Sequence, residues 1–141
     1  MKAYVDASVI LRRLLGQSPA LAEWRLIRTG VVSRLGEVEC LRTLDRLRLA
    51  GKLDDAETAG LHAGLHRIFA SLEVVELSRG VLARASRPTP TSLGTLDAIH
   101  LASAHLWRER TGSNLVFATH DGPLALAAQA SGLTVVGVSG R

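Results

Sequence analysis

Short apolar runs alternate along this chain with longer segments in which apolar residues recur at helical spacing. The runs are rich in β-branched residues and end at polar or glycine-containing turns, so they predict strands. They are apolar on both faces, which favours a parallel sheet covered by helices on both sides. The pattern therefore predicts one α/β domain over residues 1–141 with a mainly parallel sheet of about five strands. The predicted strands are Lys2–Val5, Val31–Ser33, Leu72–Leu77, Leu115–Ala118 and Leu133–Val138.

Helices are predicted between these strands from capping residues and apolar stripes. A serine followed by a proline is typical of a helix start, and predicts a helix over Ser18–Arg28. A long amphipathic helix is expected over Arg34–Ala50, and a helix that is apolar on more than one face over Thr95–Gly112. The other predicted helices begin near Ser8, Asp54, Ser78 and Asp121. The stripe predicted on the long helix consists of Leu35, Val38, Leu41, Leu44 and Leu47.

Polar residues follow two of the predicted strands directly. Asp6 and Ser8 come after the first strand, and Thr119 and Asp121 come after the fourth. Ligands of open α/β sheets bind beyond the carboxyl ends of the strands, so these side chains are candidates for a site. Aspartate and serine also cap helices, a role worth about 1 kcal/mol, so position alone leaves both interpretations open.

Further acids lie on the predicted helices. Asp97 falls in the first turn of its helix, where it either compensates the helix dipole or lines a site. Glu39 lies at the edge of the predicted apolar stripe, while Glu37 on the same helix is expected to be exposed near arginines. His100 follows Asp97 by one turn and is expected to be a structural residue.

The acids Asp6, Glu39, Asp97 and Asp121 are expected to meet at the carboxyl edge of the sheet. Carboxylates a few ångströms apart repel by about 1–4 kcal/mol at effective dielectric constants of about 80 to 20, so a cluster needs a cation or protonation. Oxygen ligands without cysteine or an obvious histidine pair favour Mg²⁺ or Mn²⁺ over Zn²⁺. Such ions activate water for phosphodiester hydrolysis.

Composition narrows the function classes. The formal net charge is +4, and arginine heavily outnumbers the two lysines, which is consistent with a polyanionic partner. Aromatic residues make up only 4%, so stacking platforms for single-stranded bases are scarce. Cys40 is the single cysteine, which excludes an internal disulfide and fits a reducing cytoplasm. Neither a secretory signal nor a membrane span is predicted.

Four segments in this order resemble the PIN-domain ribonucleases, in particular the VapC-type toxins of bacterial toxin–antitoxin pairs: Tyr4–Ser8, Ser33–Arg42, Leu96–Ala102 and Ala118–Asp121. The segment around Asp97 is the most specific of them. The chain departs from the family at His120, where tyrosine is commoner, and at Glu37, where an apolar or basic residue is usual.

The resemblance implies a three-layer α/β/α sandwich and Mg²⁺- or Mn²⁺-dependent cleavage of RNA. It implies a homodimer silenced by a small antitoxin whose chain end enters the acidic groove. A catalytically weak PIN module that binds RNA or a protein partner is the alternative. A receiver or dehalogenase-type phosphatase is disfavoured, because Ser8 replaces the second acid and no lysine follows Lys52. The implied metal-binding and catalytic acids are Asp6, Glu39, Asp97 and Asp121, with Ser8 and Thr119 as accessory hydroxyls.

Overall fold

A single sheet of five parallel strands forms the centre of the molecule, in the order β3-β2-β1-β4-β5. The computed structural model describes residues 1–139. The parallel sheet of short strands predicted from the apolar runs is confirmed, with bounds that differ by one or two residues at several ends. The strands are β1 Lys2–Val5, β2 Thr29–Ser33, β3 Leu72–Val75, β4 Val116–Ala118 and β5 Thr134–Val136.

Helices cover both faces of the sheet, which gives the three expected layers. Alternate residues of β1 serve opposite faces: Val5 packs with the first three helices, and Tyr4 packs with the helices of the second half. No helix within residues 1–139 has the length and apolar character needed to cross a bilayer. The helices are α1 Ala7–Leu14, α2 Arg34–Leu49, α3 Asp55–Ala70, α4 Arg79–Ala85, α5 Thr95–Thr111 and α6 Gly122–Ala130.

The strand order changes direction at β1. From there the chain builds β2 and β3 on one side and then crosses to β4 and β5 on the other. Val5 is in register with Ala118, and the Asp6 amide donates to the Ala118 carbonyl at 3.2 Å. Asp6 and Thr119 therefore leave the sheet side by side, at the position where ligands bind in sheets of this topology.

The helix predicted over Ser18–Arg28 is wrong. Only a short 3₁₀ turn forms, at Ala22–Leu26, and no side chain caps it. The apolar residues that pack against the core here are Leu21, Trp24 and Ile27. Their spacing of three matches the three residues per turn of a 3₁₀ helix, which explains the tighter turn.

The apolar stripe predicted on α2 is also wrong in detail. The residues buried on this helix are Gly36, Cys40 and Leu44, whereas Val38 is 48% exposed. Positions three apart drift around an α-helix by about 60° per step, while positions four apart stay closer to one face. The corrected face places Glu39 at the border of the buried surface, next to Cys40.

The helix α5 is buried on more than one side, as predicted. Ile99 and Ala102 pack with Val81 of α4. Leu101 and Ala104 belong to the cluster that α5 forms with the sheet and α6. The position of its first turn is therefore fixed by neighbours on both sides.

Candidate active site

Asp6 is the buried anchor of the site and is only 4% exposed. Its Oδ1 caps α1 by accepting from the Val9 amide at 3.3 Å, and also accepts from the Ser8 hydroxyl at 2.5 Å. Its Oδ2 accepts from the Thr119 hydroxyl at 2.6 Å. Burial raises the pKa of Asp6, and these hydrogen bonds oppose that shift. The cap role weighed for Asp6 is thus confirmed, but one oxygen is held by a different strand end.

The hydroxyls of Ser8 and Thr119 connect the ends of β1 and β4. Ser8 Oγ accepts from the His120 amide at 3.0 Å while it donates to Asp6. Thr119 Oγ1 accepts from the Asp121 amide at 3.0 Å while it donates to Asp6. Asp121 in turn caps α6 through the Leu124 amide at 3.0 Å. Both hydroxyls therefore orient the acids rather than lie free at the surface.

His120, one of the departures from the family pattern, lies between Thr119 at the end of β4 and Asp121 at the start of α6. Its Nδ1 donates to the Gly137 carbonyl at 2.7 Å. The buried Nε2 atom has no hydrogen-bond partner among residues 1–139. The ring of His120, the residue before Asp121, therefore holds a buried acceptor without a donor among residues 1–139.

Glu39 reaches the site from α2. Its side chain is 28% exposed, and Oε1 is hydrogen-bonded to Nε2 of His100 on α5. Glu37 instead pairs with Arg34 at 3.3 Å. His100 is buried and satisfied, as predicted for a structural residue, but its partner is a candidate metal ligand. The spacing of one turn between Asp97 and His100 indicates that the ring can approach the site, but it does not identify Glu39 as its partner.

Asp97 lies in the first turn of α5, whose N-cap is Gly94 without a side-chain cap bond. Partial burial raises the pKa of Asp97. The negative charges of Asp121, Asp6 and Glu39 raise that pKa further, in this order of effect. Asp97 therefore lies close enough to the other three acids named from the sequence for their charges to disfavour its ionised form.

Arginine does not neutralise this cluster. Within the described part of the chain, arginine ion pairs engage Glu37, Asp45, Glu76 and Glu109, and none engages the four acids. Cys40, the neighbouring thiol, is fully buried, and burial raises its pKa to about 12. The uncompensated donors are therefore oxygens, the type that Mg²⁺ and Mn²⁺ prefer.

The side chains of the four acids do not converge on one point. No group of three or more His, Cys, Asp or Glu side chains among residues 1–139 is arranged to hold an ion directly. Both oxygens of Asp6 and one of Glu39 are occupied by hydrogen-bond donors. Mg²⁺ usually keeps several waters and binds one or two carboxylates directly, so the donor set fits an ion of this kind.

Comparison with known proteins agrees with this fold. A model of the PIN domain matches residues 3–129. Ribonuclease VapC46 of Mycobacterium tuberculosis is 34% identical over 140 residues, which cover 96% of this chain and 97% of the relative.

Two solved structures share the fold. A chain from a toxin–antitoxin complex of Klebsiella pneumoniae matches with a TM-score of 0.66 at 15% identity and covers 96% of both chains. VapC20 of Mycobacterium tuberculosis, described as a sarcin-ricin loop cleaving toxin, matches with a TM-score of 0.57 at 18% identity, over 99% of this chain and all of that one. The family match, the relative and the common fold establish that this chain belongs to the PIN-domain family and resembles its VapC members.

Proposed function

We propose that this protein is a metal-dependent endoribonuclease that acts as the toxin of a toxin–antitoxin pair. The observation that carries the proposal is the Thr119 hydroxyl, which joins Asp6 and the Asp121 amide at the ends of β1 and β4. Asp97 lies close enough that Asp121, Asp6 and Glu39 raise its pKa. A cluster of acids without an arginine partner costs stability unless a cation joins it. The relative VapC46 is named a ribonuclease, which supports RNA as the substrate class.

The proposed roles of the acidic side chains follow from their contacts. Asp6 is held on both oxygens by Ser8 and Thr119, so it is the most rigid candidate ligand. Asp97 and Glu39 enter from α5 and α2, and Asp121 supports the site from the start of α6. When bound, Mg²⁺ or Mn²⁺ would polarise the scissile phosphate and lower the pKa of the attacking water. The hydroxyls of Ser8 and Thr119 fix the acids in place before substrate arrives.

The assignment of Glu39 over Glu37 is part of this proposal. Glu39 is held toward α5 by His100, whereas the carboxylate of Glu37 is paired with Arg34. A carboxylate that already faces a guanidinium has less to gain from a metal ion. We therefore propose that Glu39 is the ligand from α2.

The proposal includes two protein partners. The Klebsiella neighbour is described as a toxin–antitoxin complex, which supports a small antitoxin as a partner of this chain. The acidic groove is the expected docking place, and a basic chain end is the chemistry that fits it. The homodimer expected from the family is tested by sedimentation of the purified protein alone and with its antitoxin.

The test is RNA cleavage by the purified full chain, titrated with Mg²⁺ and Mn²⁺ after exhaustive treatment with EDTA. Asp97→Asn and Glu39→Gln are expected to lose at least about 100-fold in activity, a typical loss for a charge that stabilises the transition state. Glu37→Gln is the matched control on α2 and is expected to retain activity. Cleavage that survives EDTA, or that survives Asp97→Asn, would overturn the metal mechanism.

The same titration separates the catalytically weak module from the nuclease. A binding module would retain RNA or antitoxin binding and show no metal-dependent cleavage in the wild-type chain. Contaminating nuclease is excluded if Asp97→Asn, purified in the same way, leaves the RNA intact. The nuclease proposal requires cleavage in the wild type alone.

A further inference from the structure

A chain of buried hydrogen bonds runs from the sheet to Glu39. The amide of Ser33 donates to the Tyr4 hydroxyl at 3.2 Å, and that hydroxyl is 2.6 Å from Nδ1 of His100. The other ring nitrogen of His100 is hydrogen-bonded to Glu39. We propose that His100 is a positioning residue, locked by Tyr4, that orients the Glu39 carboxylate toward the metal. This inference rests on the proposed function.

The direction of each hydrogen bond follows from the donors present. The Ser33 amide can only donate, so the Tyr4 oxygen accepts from it. Tyr4 is fully buried, and Nδ1 of His100 is the other polar atom that bonds its hydroxyl among residues 1–139. The hydroxyl hydrogen therefore points to Nδ1, which must be an acceptor. The ring hydrogen then lies on Nε2 and is donated to Glu39.

Packing fixes the ring as firmly as the hydrogen bonds do. His100 is 2% exposed, and it meets the Tyr4 ring edge-on at a centroid distance of 5.9 Å. Tyr4 is stacked in turn on Phe117 of β4 at 5.0 Å. A side chain that is hydrogen-bonded on both nitrogens and packed against the Tyr4 ring has one orientation, which is what a residue that holds a ligand in place requires.

The chain of hydrogen bonds attaches α2 at two points. Ser33 is the N-cap of α2, and Glu39 lies six positions later on the same helix. Tyr4 is hydrogen-bonded to Ser33, and His100 is hydrogen-bonded to Glu39. These two contacts fix the position of α2 along its axis and its rotation about that axis. Gly36 lies between Ser33 and Glu39 on this helix and faces His100. A Cβ added at Gly36 would lie 3.8 Å from the ring Cε1 atom, in van der Waals contact. The arrangement sets the direction of Glu39 through α2 as a whole.

A histidine with a purely structural role does not require a carboxylate as its hydrogen-bond partner. A histidine that only fills the core would need a satisfied ring, and a carbonyl or hydroxyl would serve, as Ser131 does for His105 on the same helix. His100 instead gives its one ring hydrogen to a carboxylate that belongs to the acidic cluster. Outer-shell partners of ligating carboxylates typically change metal affinity about 10- to 100-fold when removed.

The test measures Mn²⁺ binding to the full chain by isothermal titration calorimetry, which needs no substrate. His100→Leu is expected to weaken Mn²⁺ binding by about 10- to 100-fold. His100→Gln can place an amide donor near the same point and is expected to stay within a few-fold of wild type. Tyr4→Phe removes the donor to Nδ1 and is expected to fall between them. His105→Leu, a second buried histidine of α5, is the matched control and is expected to bind normally.

A double-mutant cycle decides whether His100 acts through Glu39. In the Glu39→Gln background, His100→Leu is expected to cause little further loss of Mn²⁺ affinity. An equal loss in both backgrounds, or normal binding by folded His100→Leu, would overturn the inference. If His100→Leu does not fold, His100→Gln is expected to bind Mn²⁺ more tightly than Tyr4→Phe, and equal affinities for these two variants would reject the inference. Failure of the wild type to bind Mn²⁺ rejects the proposed function instead.

Discussion

The hydroxyl of Thr119 donates a 2.6 Å hydrogen bond to Oδ2 of Asp6, across 113 positions of sequence. Both residues directly follow neighbouring parallel strands, so the bond joins the carboxyl ends of β1 and β4. The same hydroxyl accepts from the amide of Asp121 at 3.0 Å. One buried side chain therefore fixes the relative positions of two candidate ligands.

Replacement of Thr119 by valine is expected to destabilise the fold. The change leaves the Asp6 oxygen and the Asp121 amide without their partner, at a cost of about 1–3 kcal/mol. Thr119→Ser retains the hydroxyl and is expected to recover most of the loss. Urea unfolding of both variants in EDTA measures the effect. Equal stability of the valine and serine variants would show that the hydroxyl contributes nothing.

Asp97→Asn is expected to stabilise the metal-free protein at neutral pH. Because the folded-state pKa of Asp97 is raised, ionisation is harder in the folded chain than in the unfolded one. The penalty is absent below the ordinary aspartate pKa of about 3.9, grows as pH rises toward the folded value and is constant above it. The gain should be no more than about 1 kcal/mol, since Asp97 is partly exposed.

Urea unfolding at stepped pH in EDTA measures this effect. Asp55→Asn, in the first turn of α3, is the control for the helix dipole and should lose stability, by about 0.3–1 kcal/mol. Saturating Mg²⁺ should reverse the order of wild type and Asp97→Asn. If Asp97→Asn has a lower free energy of unfolding than wild type in EDTA at neutral pH, repulsion between Asp97 and the other acids is contradicted.

The sequence allowed the main features of the fold to be predicted, because they depend on local patterns. Apolar runs and the residues that follow them identified the strands and placed Asp6 and Thr119 at one edge. The meeting of all four acids around an ion stays a prediction, because the raised pKa concerns Asp97 alone. The contact between His100 and Glu39 could not be predicted, since it joins opposite layers of the sheet across 61 positions.

The errors also have local causes. The serine and proline at Ser18–Pro19 are typical of a helix start, but the apolar residues that follow are spaced for a 3₁₀ turn. On α2, the large side chains at intervals of three suggested the wrong face. The small residue Gly36 contributes to the buried side through close approach rather than through apolar area. Hydrophobic periodicity alone gives such a glycine little weight.

Gly137→Ala is expected to disturb the site more than a comparable glycine does. Gly137 has φ +100°, and an added Cβ would lie 2.4 Å from the Thr119 carbonyl oxygen. Gly132→Ala is the control, because Gly132 has φ +94° and an added Cβ would meet no atom within 4 Å. This variant should lose only the cost of the backbone conformation, about 1–2 kcal/mol. The clash should cost Gly137→Ala at least about 1 kcal/mol more. Equal losses of unfolding free energy in the two variants would contradict a close contact with Thr119.

Gly36→Ala tests whether the close approach of α2 to the sheet sets the position of Glu39. An added Cβ would lie 2.9 Å from Cγ2 of the buried Val32, so the helix must shift, and overpacking should outweigh the alanine helix preference by about 1 kcal/mol. Gly60→Ala on α3 meets no atom within 4 Å and should instead gain about 0.5–1 kcal/mol. Gly36→Ala should also bind Mn²⁺ more weakly in calorimetry, while Gly60→Ala binds it normally. Stabilisation of both variants with unchanged Mn²⁺ affinity would mean that α2 tolerates the shift and that Glu39 is not held through this contact.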